Sequence, residues 1–594
     1  MDGDTDIQKI NLDKVDWRGS REFFESLGEA LDKLDDKDEA YDFTWVGKRK
    51  AIIEAGAPIN KTFRPDVEES KNWDTTENLF IEGDNLDALK LLQESYLGKV
   101  KMIYIDPPYN TGKDFVYHDN FKANVEEYDE ATKYKDESGN IQFKKNEKSN
   151  GRYHSDWLSM MYPRLKLARN LLSADGVIFV SIDDNEQANL KKLCDEVFGE
   201  DNFIADFIWT KKEKASGVPP VNMILPNKEH VLCYKKADEV KFAGQERSLK
   251  SYKQNEDGRW WRLMPIQATG NQNSYFDIID PVTGNVYHGN WAFSEETIKR
   301  MVVEGKIAFP KSGKGLPTQI VFADEMKNDS SPIFEYLGLY ESEVSSKALI
   351  KLMDGKYFDF PKPVDLIKFF INQRTSDNDL IIDFFSGSGT TAHAVMQLNA
   401  EDGASRKWIM VQLPEKIDEN SDAYKAGYKT IPEISRERIR RAGDKIAQEN
   451  REAKVDFGFR ALTITDTNYK EVYKSASETT QLALSDTVDN VKEDRSEIDL
   501  LYGVLTTTAL DLNRPFEKRE IAGSIVYLYD YFSEVSGLIA CFSESVSEDT
   551  IKEIAKLKPL TAVFQDSSFP DSQAKVNLSE HFRIISPETK VKVI

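Results

Sequence analysis

Cysteine is nearly missing from this chain: there are three in 594 residues (Cys194, Cys233 and Cys541), far apart and without a CxxC. That excludes a disulfide framework or a cysteine-rich zinc site and predicts reduced, buried thiols. The six histidines are scattered, with no HExxH or His/Cys cluster, so no metal site is expected. No apolar run approaches the ~20 residues of a membrane span. The opening MDGDTDIQK lacks the cationic-then-apolar pattern of a signal peptide. A soluble, cytoplasmic protein is expected. Excess positive charge is absent too. A net charge of −23 argues against a general polyanion binder, because phosphate contacts come from Lys and Arg. Local basic stretches remain, at Lys211-Lys212-Glu213-Lys214, Arg259-Trp260-Trp261-Arg262 and Arg436 to Arg441.

What is present suffices for globular folding: 40% hydrophobic and 11% aromatic residues, in a chain too long for one ordinary core. Residues 1–75 are acidic, with short apolar segments, and read as an N-terminal arm. An α/β alternation follows over 76–236. It comprises a helix Asn85 to Tyr96, a strand ending at Asp106, a lysine-rich mobile loop Phe121 to Arg152, a helix Trp157 to Leu172, a strand Val177 to Asp183 and a helix Asn185 to Phe198. Over 237–349 the texture changes to short strand-like pieces with turn signals such as DPVTGN and KSGKG. The alternation resumes over 350–454, with a helix around Val364 to Ile371, strands Leu380 to Phe385 and Trp408 to Leu413, and a helix near Ser435 to Gln448. Residues 455–594 read as a smaller α/β tail. Strands alternating with helices imply a parallel sheet.

Two segments carry chemistry. In IDPPYN (Ile105 to Asn110) an acid, two prolines and an aromatic ring follow an apolar strand. Proline fixes φ and removes backbone donors, so the strand ends in a rigid tip holding Asp106 and Tyr109. In IIDFFSGSGTTAHAV (Ile381 to Val395) a strand runs through Gly387-Ser388-Gly389 into a helix. Glycines there admit a ligand close to the backbone, and a helix N-terminus favours negative charge. The loop lacks the third glycine of the dinucleotide fingerprint and the Gly-Lys-Ser/Thr of a phosphate loop, which disfavours NAD and ATP. Alone, the first segment could be a tight turn and the second a plain strand-to-helix connection. On two strands of one parallel sheet, they place a nucleotide-sized cleft beside a polar aromatic pocket at the strands' carboxyl ends.

DPPYNTG (Asp106 to Gly112) resembles the catalytic motif of amino-group DNA methyltransferases, and DFFSGSGTT (Asp383 to Thr391) resembles their S-adenosylmethionine motif. The catalytic motif comes first, the circularly permuted β-class order. FIEGDNLDALKLLQ (Phe80 to Gln93), VSIDDNE (Val180 to Glu186), FDFPKPVDLI (Phe358 to Ile367) and IPEISRERIRRAG (Ile431 to Gly443) are similar to the modification subunits of type III restriction-modification systems.

The resemblance implies a Rossmann-like methyltransferase sheet with an inserted β-rich target-recognition domain at 237–349 and a dimerisation or partner-docking domain at 455–594. It implies a catalytic platform of Asp106, Pro107, Pro108 and Tyr109. It also implies an S-adenosyl-L-methionine site made by Asp383, Phe385, Gly387, Ser388, Gly389 and Thr390, closed by Lys362 and Pro363, with Asp84 near the adenine end. Many relatives carry a glutamate at the end of the strand that holds Gln412; here Gln412 or Glu415 is expected at the ribose. His230 matches a position near the target pocket, or is a packing histidine; Asp183 and Asp184 are read as capping the next helix. The expected partners are double-stranded DNA, a second copy of the chain and a restriction subunit. An acid at the first motif position, where cytosine-N4 enzymes usually carry serine, favours adenine N6. Chemistry agrees with the motif: an exocyclic base amine is a poor nucleophile until carbonyl and carboxylate acceptors localise its lone pair. The base itself must first be flipped out of the duplex.

Overall fold

A computed structural model describes residues 42–112, 115–116, 144–145, 150–214, 223–246, 248–269, 274–326, 330–470, 491–531 and 537–594. Most of the expected N-terminal arm and of the loop 121–152 lies outside the described residues. Met1–Trp45 and Val46–Ile594 are separate compact units. In the first, the rings of Phe43 and Trp45 lie 5.4 Å apart.

The second unit is organised by one ten-stranded sheet. Its strands in chain order are β1 (Lys61–Lys71), β2 (Leu79–Glu82), β3 (Val100–Ile105), β4 (Leu172–Ile182), β5 (Phe203–Thr210), β6 (Lys228–Lys235), β7 (Tyr336–Leu339), β8 (Leu380–Asp383), β9 (Lys407–Gln412) and β10 (Phe459–Asp466). In space they run β1-β10-β2-β9-β8-β3-β4-β6-β5-β7. The stretch from β10 to β4 is parallel. On one side of it β6 pairs antiparallel with β4 and β5, and on the other β1 pairs antiparallel with β10. The parallel expectation thus holds for the centre only. Among the described residues no helix separates β5 from β6, so the chain returns directly alongside itself, and a direct return makes an antiparallel pair. Three strands of this sheet lie beyond the expected limits of the α/β halves: β1 within 1–75, β7 within 237–349 and β10 within 455–594.

Burial on both faces explains the apolar runs of the central strands. Along β3, Met102 and Tyr104 belong to a core with Phe370 and Ile371 of the helix Val364–Arg374, while Ile103 and Ile105, pointing the other way, are equally buried. The helix Tyr153–Leu171 buries a stripe of Leu158, Met161, Leu165 and Ala168. Asp84 starts the helix Asn85–Tyr96, its carboxylate accepting from the amides of Leu86 and Asp87.

Within 237–349, Trp260–Pro265 and Thr318–Phe322 form the centre of a four-stranded sheet, and Tyr275–Ile279 pairs with Val286–Asn290 as a hairpin. Near the end of the same span, β7 rejoins the main sheet. Five strands between Phe516 and Val593 make a further sheet with its own core. Among the described residues no helix is long and apolar enough to cross a membrane.

Candidate active site

The carboxyl ends of β3 and β8 are neighbours, and the chain leaves them in opposite directions, from β3 to β4 and from β8 to β9. Such a divergence opens a crevice at the strand ends, where open α/β sheets bind ligands. IDPPYN lies on one side of it and the glycine loop on the other.

On the β3 side, Pro108 is fixed by its carbonyl, which accepts from Trp157 Nε1 at 2.7 Å. The Pro107 carbonyl accepts no hydrogen bond among the described residues, so it remains available. Asn110 follows with φ of 57°, a left-handed conformation that asparagine tolerates. Its amide donates to Glu186 Oε1 at 2.6 Å and to the Tyr153 carbonyl at 3.2 Å, and the Tyr153 hydroxyl donates to the Asn110 carbonyl. Glu186, fully buried, also accepts from Asn189 at 2.7 Å and meets His154 Nδ1 at 2.5 Å. The two prolines and this anchored asparagine hold Asp106 and Tyr109 in place.

Four charged or polar groups meet at the tip. Lys362 Nζ is 3.1 Å from Asp106 Oδ1, 3.0 Å from Glu229 Oε2, and donates to the Tyr109 hydroxyl at 2.6 Å. Tyr109 in turn donates to Glu229 at 3.0 Å. Lys211 reaches Glu229 Oε1 at 3.3 Å. Burial, reinforced by the Glu229 charge, holds the Asp106 carboxyl above its ordinary range against the pull of Lys362. Burial also acts to raise Glu229, but Lys362 and Lys211 outweigh it and leave that carboxyl low. For Lys362 burial is outweighed by Asp106 and Glu229, so its ammonium is held charged.

Glu229 was not among the residues singled out from sequence. Its neighbour His230 was, and the structure separates the two: successive residues of a strand point to opposite faces. His230 Nδ1 meets Asp206 at 2.9 Å and its Nε2 meets Asp184 at 3.2 Å, which holds its ring above the ordinary histidine range, Asp206 contributing most. It packs away from the tip. Asp183 and Asp184 do not cap the next helix. Asp183 accepts from the Asn185 amide, Asp184 pairs with Lys228 and His230, and the helix Gln187–Phe198 has no side-chain cap.

On the β8 side, Gly387 and Gly389 have φ of 51° and 76°, the left-handed conformation in which glycine is at ease. A Cβ on Gly389 would sit 3.0 Å from Ile439 Cγ1, so the loop lies tightly on the helix Ile431–Glu449. Gln412 accepts from the Gly387 amide at 2.7 Å and donates to the Leu413 carbonyl at 3.3 Å: its carboxamide braces the loop from below. Asp383 accepts from the Phe385 amide at 3.0 Å and from Thr391 Oγ1 at 2.5 Å. Burial nonetheless pushes its carboxyl up to about 7. Besides capping its helix, Asp84 meets buried Arg164 at 3.4 Å, and Arg164 also holds Asn85, whose amide donates to the Phe384 carbonyl at 2.8 Å. Asp84 therefore ties the β2 turn to the Asp383 loop.

A family model described as DNA methylase matches residues 100–421. The chain belongs to this family, among the type III modification subunits. It is 37% identical over 451 residues to the Mod subunit of the type III restriction-modification enzyme StyLTI of Salmonella typhimurium, a match covering 72% of this chain and 66% of that one. It is 32% identical to the EcoPI Mod subunit of Escherichia phage P1, with 72% of each chain covered. The EcoP15I Mod subunit of Escherichia coli matches at 30% identity over 93% of this chain and 91% of that one. Among solved structures, the PvuII DNA methyltransferase (cytosine-N4-specific) matches with 18% identity and a TM-score of 0.30, covering 62% of this chain and 94% of that one. The chain is thus an S-adenosylmethionine-dependent DNA methylase.

Proposed function

We propose that this methylase transfers a methyl group to the N6 amino group of an adenine within a specific site in double-stranded DNA. The supporting observation is a pair of acceptors side by side at the end of β3: the Asp106 carboxylate and the uncommitted Pro107 carbonyl, facing the glycine loop across the crevice.

The loop suits the cofactor. It offers two side-chain-free positions with left-handed backbone, a helix N-terminus and the raised acid Asp383. Asp383, Phe385, Gly387, Ser388, Gly389 and Thr390 would hold it, with Lys362 and Pro363 closing the pocket. Gln412 supports it through the Gly387 amide, and Asp84 through the β2 turn. S-adenosylmethionine, when bound, supplies a methyl group on a sulfonium sulfur.

A flipped adenine stacks on Tyr109, and its two N6 hydrogens are accepted by Asp106 and the Pro107 carbonyl. Both bonds draw the lone pair out of the ring and stabilise the positive charge that develops on nitrogen. The nitrogen so prepared would take the methyl group that the sulfonium supplies, sulfur keeping the electrons of the bond given up. Nitrogen then sheds one proton, and Asp106, held above the usual carboxylate range, is placed to receive it.

Span 237–349 supplies base readout, with Arg, Asn, Trp and Tyr side chains suited to base edges and backbone. The β-class permuted order, a homodimer and docking of a restriction subunit through 455–594 complete the reading. Expressing the chain in a bacterial host free of this modification tests it. N6-methyladenine appearing in one sequence context, and vanishing with Asp106→Ala, is the expected result; host DNA unchanged by the intact chain in the presence of its partner subunit would contradict it.

A further inference from the structure

Beneath the glycine loop lies a cation without a counter-ion. Arg438, on the helix Ile431–Glu449, is 3% exposed, and no carboxylate pairs with it among the described residues. Its Nη1 donates to Ser388 Oγ and to Thr390 Oγ1, the latter at 2.6 Å. Its Nε has no partner among the described residues. The neighbouring arginines differ: Arg436 is matched by Glu69 and Glu82, and Arg441 by Glu437 and Asp354. A buried unpaired charge is costly, and proteins retain one where something compensates it.

The surroundings point to an anion. Ser388 and Thr390 accept from the guanidinium, which leaves each hydroxyl hydrogen to be donated onward. Thr390 opens the helix Thr390–Asp402, whose free amides favour negative charge, and Ser388 lies just before its cap Gly389. A third hydroxyl of the loop, Ser386 Oγ, is 5% exposed and likewise lacks a partner among the described residues. The arginine also presses on His393, which burial foremost and the Arg438 charge next hold down at about 3, so that ring stays neutral and adds no second cation.

We propose that Arg438 is the counter-charge for the carboxylate at the amino-acid end of the cofactor, acting through the hydroxyls of Ser388 and Thr390. This rests on the S-adenosylmethionine reading above and adds to it a binding residue outside the loop. Arg438 touches no reacting atom: its effect is on affinity for a carboxylate-bearing ligand.

Calorimetry on the full chain tests this with two probes, S-adenosylhomocysteine and its decarboxylated analogue. The intact protein is expected to bind the first more tightly, by about 10- to 100-fold, the range of a charge-assisted interaction. Arg438→Gln should abolish most of that preference by weakening the first probe alone. If Arg438→Gln does not fold, as judged by thermal melting, Thr390→Val with Arg438 intact reads the same preference, and it should shrink. An unchanged preference in a folded variant overturns the role of Arg438. Failure of both probes to bind the intact protein would instead overturn the cofactor reading on which it rests.

Discussion

Lys362 Nζ stands 3.1 Å from Asp106 Oδ1 and 3.0 Å from Glu229 Oε2, so a lysine ammonium sits against the acid that the proposed mechanism offers to a base amine. Glu229 can keep the ammonium when the amine arrives. Removing the cation leaves Asp106 and Glu229 facing each other, and the Asp106 carboxyl, already raised by burial, rises further. The proposed transfer requires ionised Asp106, so the rate should climb as pH rises through its pKa. In Lys362→Met the acid limb of the kcat/KM profile should move to higher pH; an unmoved limb would break the link between the two residues.

Tyr109 divides its work between ring and hydroxyl. In the proposed mechanism the ring stacks the base, whereas the hydroxyl donates to Glu229 and accepts from Lys362. Tyr109→Phe should retain most transfer, and Tyr109→Ala should lose stacking worth about 1–3 kcal/mol. Steady-state kinetics on DNA already unpaired at the target position reads this directly, since the cost of flipping is then small.

Glu186 anchors the tip from behind by accepting from Asn110 and Asn189. Glu186→Ala strands those donors, at a cost of about 1–3 kcal/mol each, and frees Asn110 to leave its positive φ. Denaturant unfolding should show the loss of stability, and kcat should fall at least as far as in Glu186→Gln, which keeps one acceptor.

Asp383 carries a pH signature. Its folded pKa of about 7 exceeds the ordinary aspartate value that the unfolded chain has. Below that ordinary value the group is protonated in both states and contributes nothing. Between the two values the folded state binds more protons, so stability declines as pH rises, and above about 7 the decline is complete. Unfolding of the cofactor-free protein between pH 4 and 8 should show this slope, and Asp383→Asn should flatten it.

Much of this was legible in the residues. The strand ending before Asp106, the helix Asn85–Tyr96 and the glycine turn after β8 follow from apolar runs, a capping aspartate and glycine, all local signals. The antiparallel flank was not legible, because the pairing of β6 with β4 depends on a long-range return that leaves no periodicity. Glu229 stayed hidden for a similar reason. In NKEHVLCYKK either Glu229 or His230 could face the crevice, and only the register of β6 decides which does. Gln412 looked like a departure from a ribose ligand, yet its carboxamide holds the Gly387 amide, a contact between residues 25 positions apart.

The central claim is that Asp106 and the Pro107 carbonyl present an adenine amine to the methyl donor. Its most direct test is transfer of labelled methyl from S-adenosylmethionine to unmodified DNA by the purified chain, alone and with its partner subunit, followed by digestion to nucleosides. The account predicts label in N6-methyladenine, with a loss of about 10²–10³-fold in kcat for Asp106→Asn, the scale of removing one transition-state hydrogen-bonding group. Label in N4-methylcytosine, or transfer that survives the loss of Asp106, would contradict it.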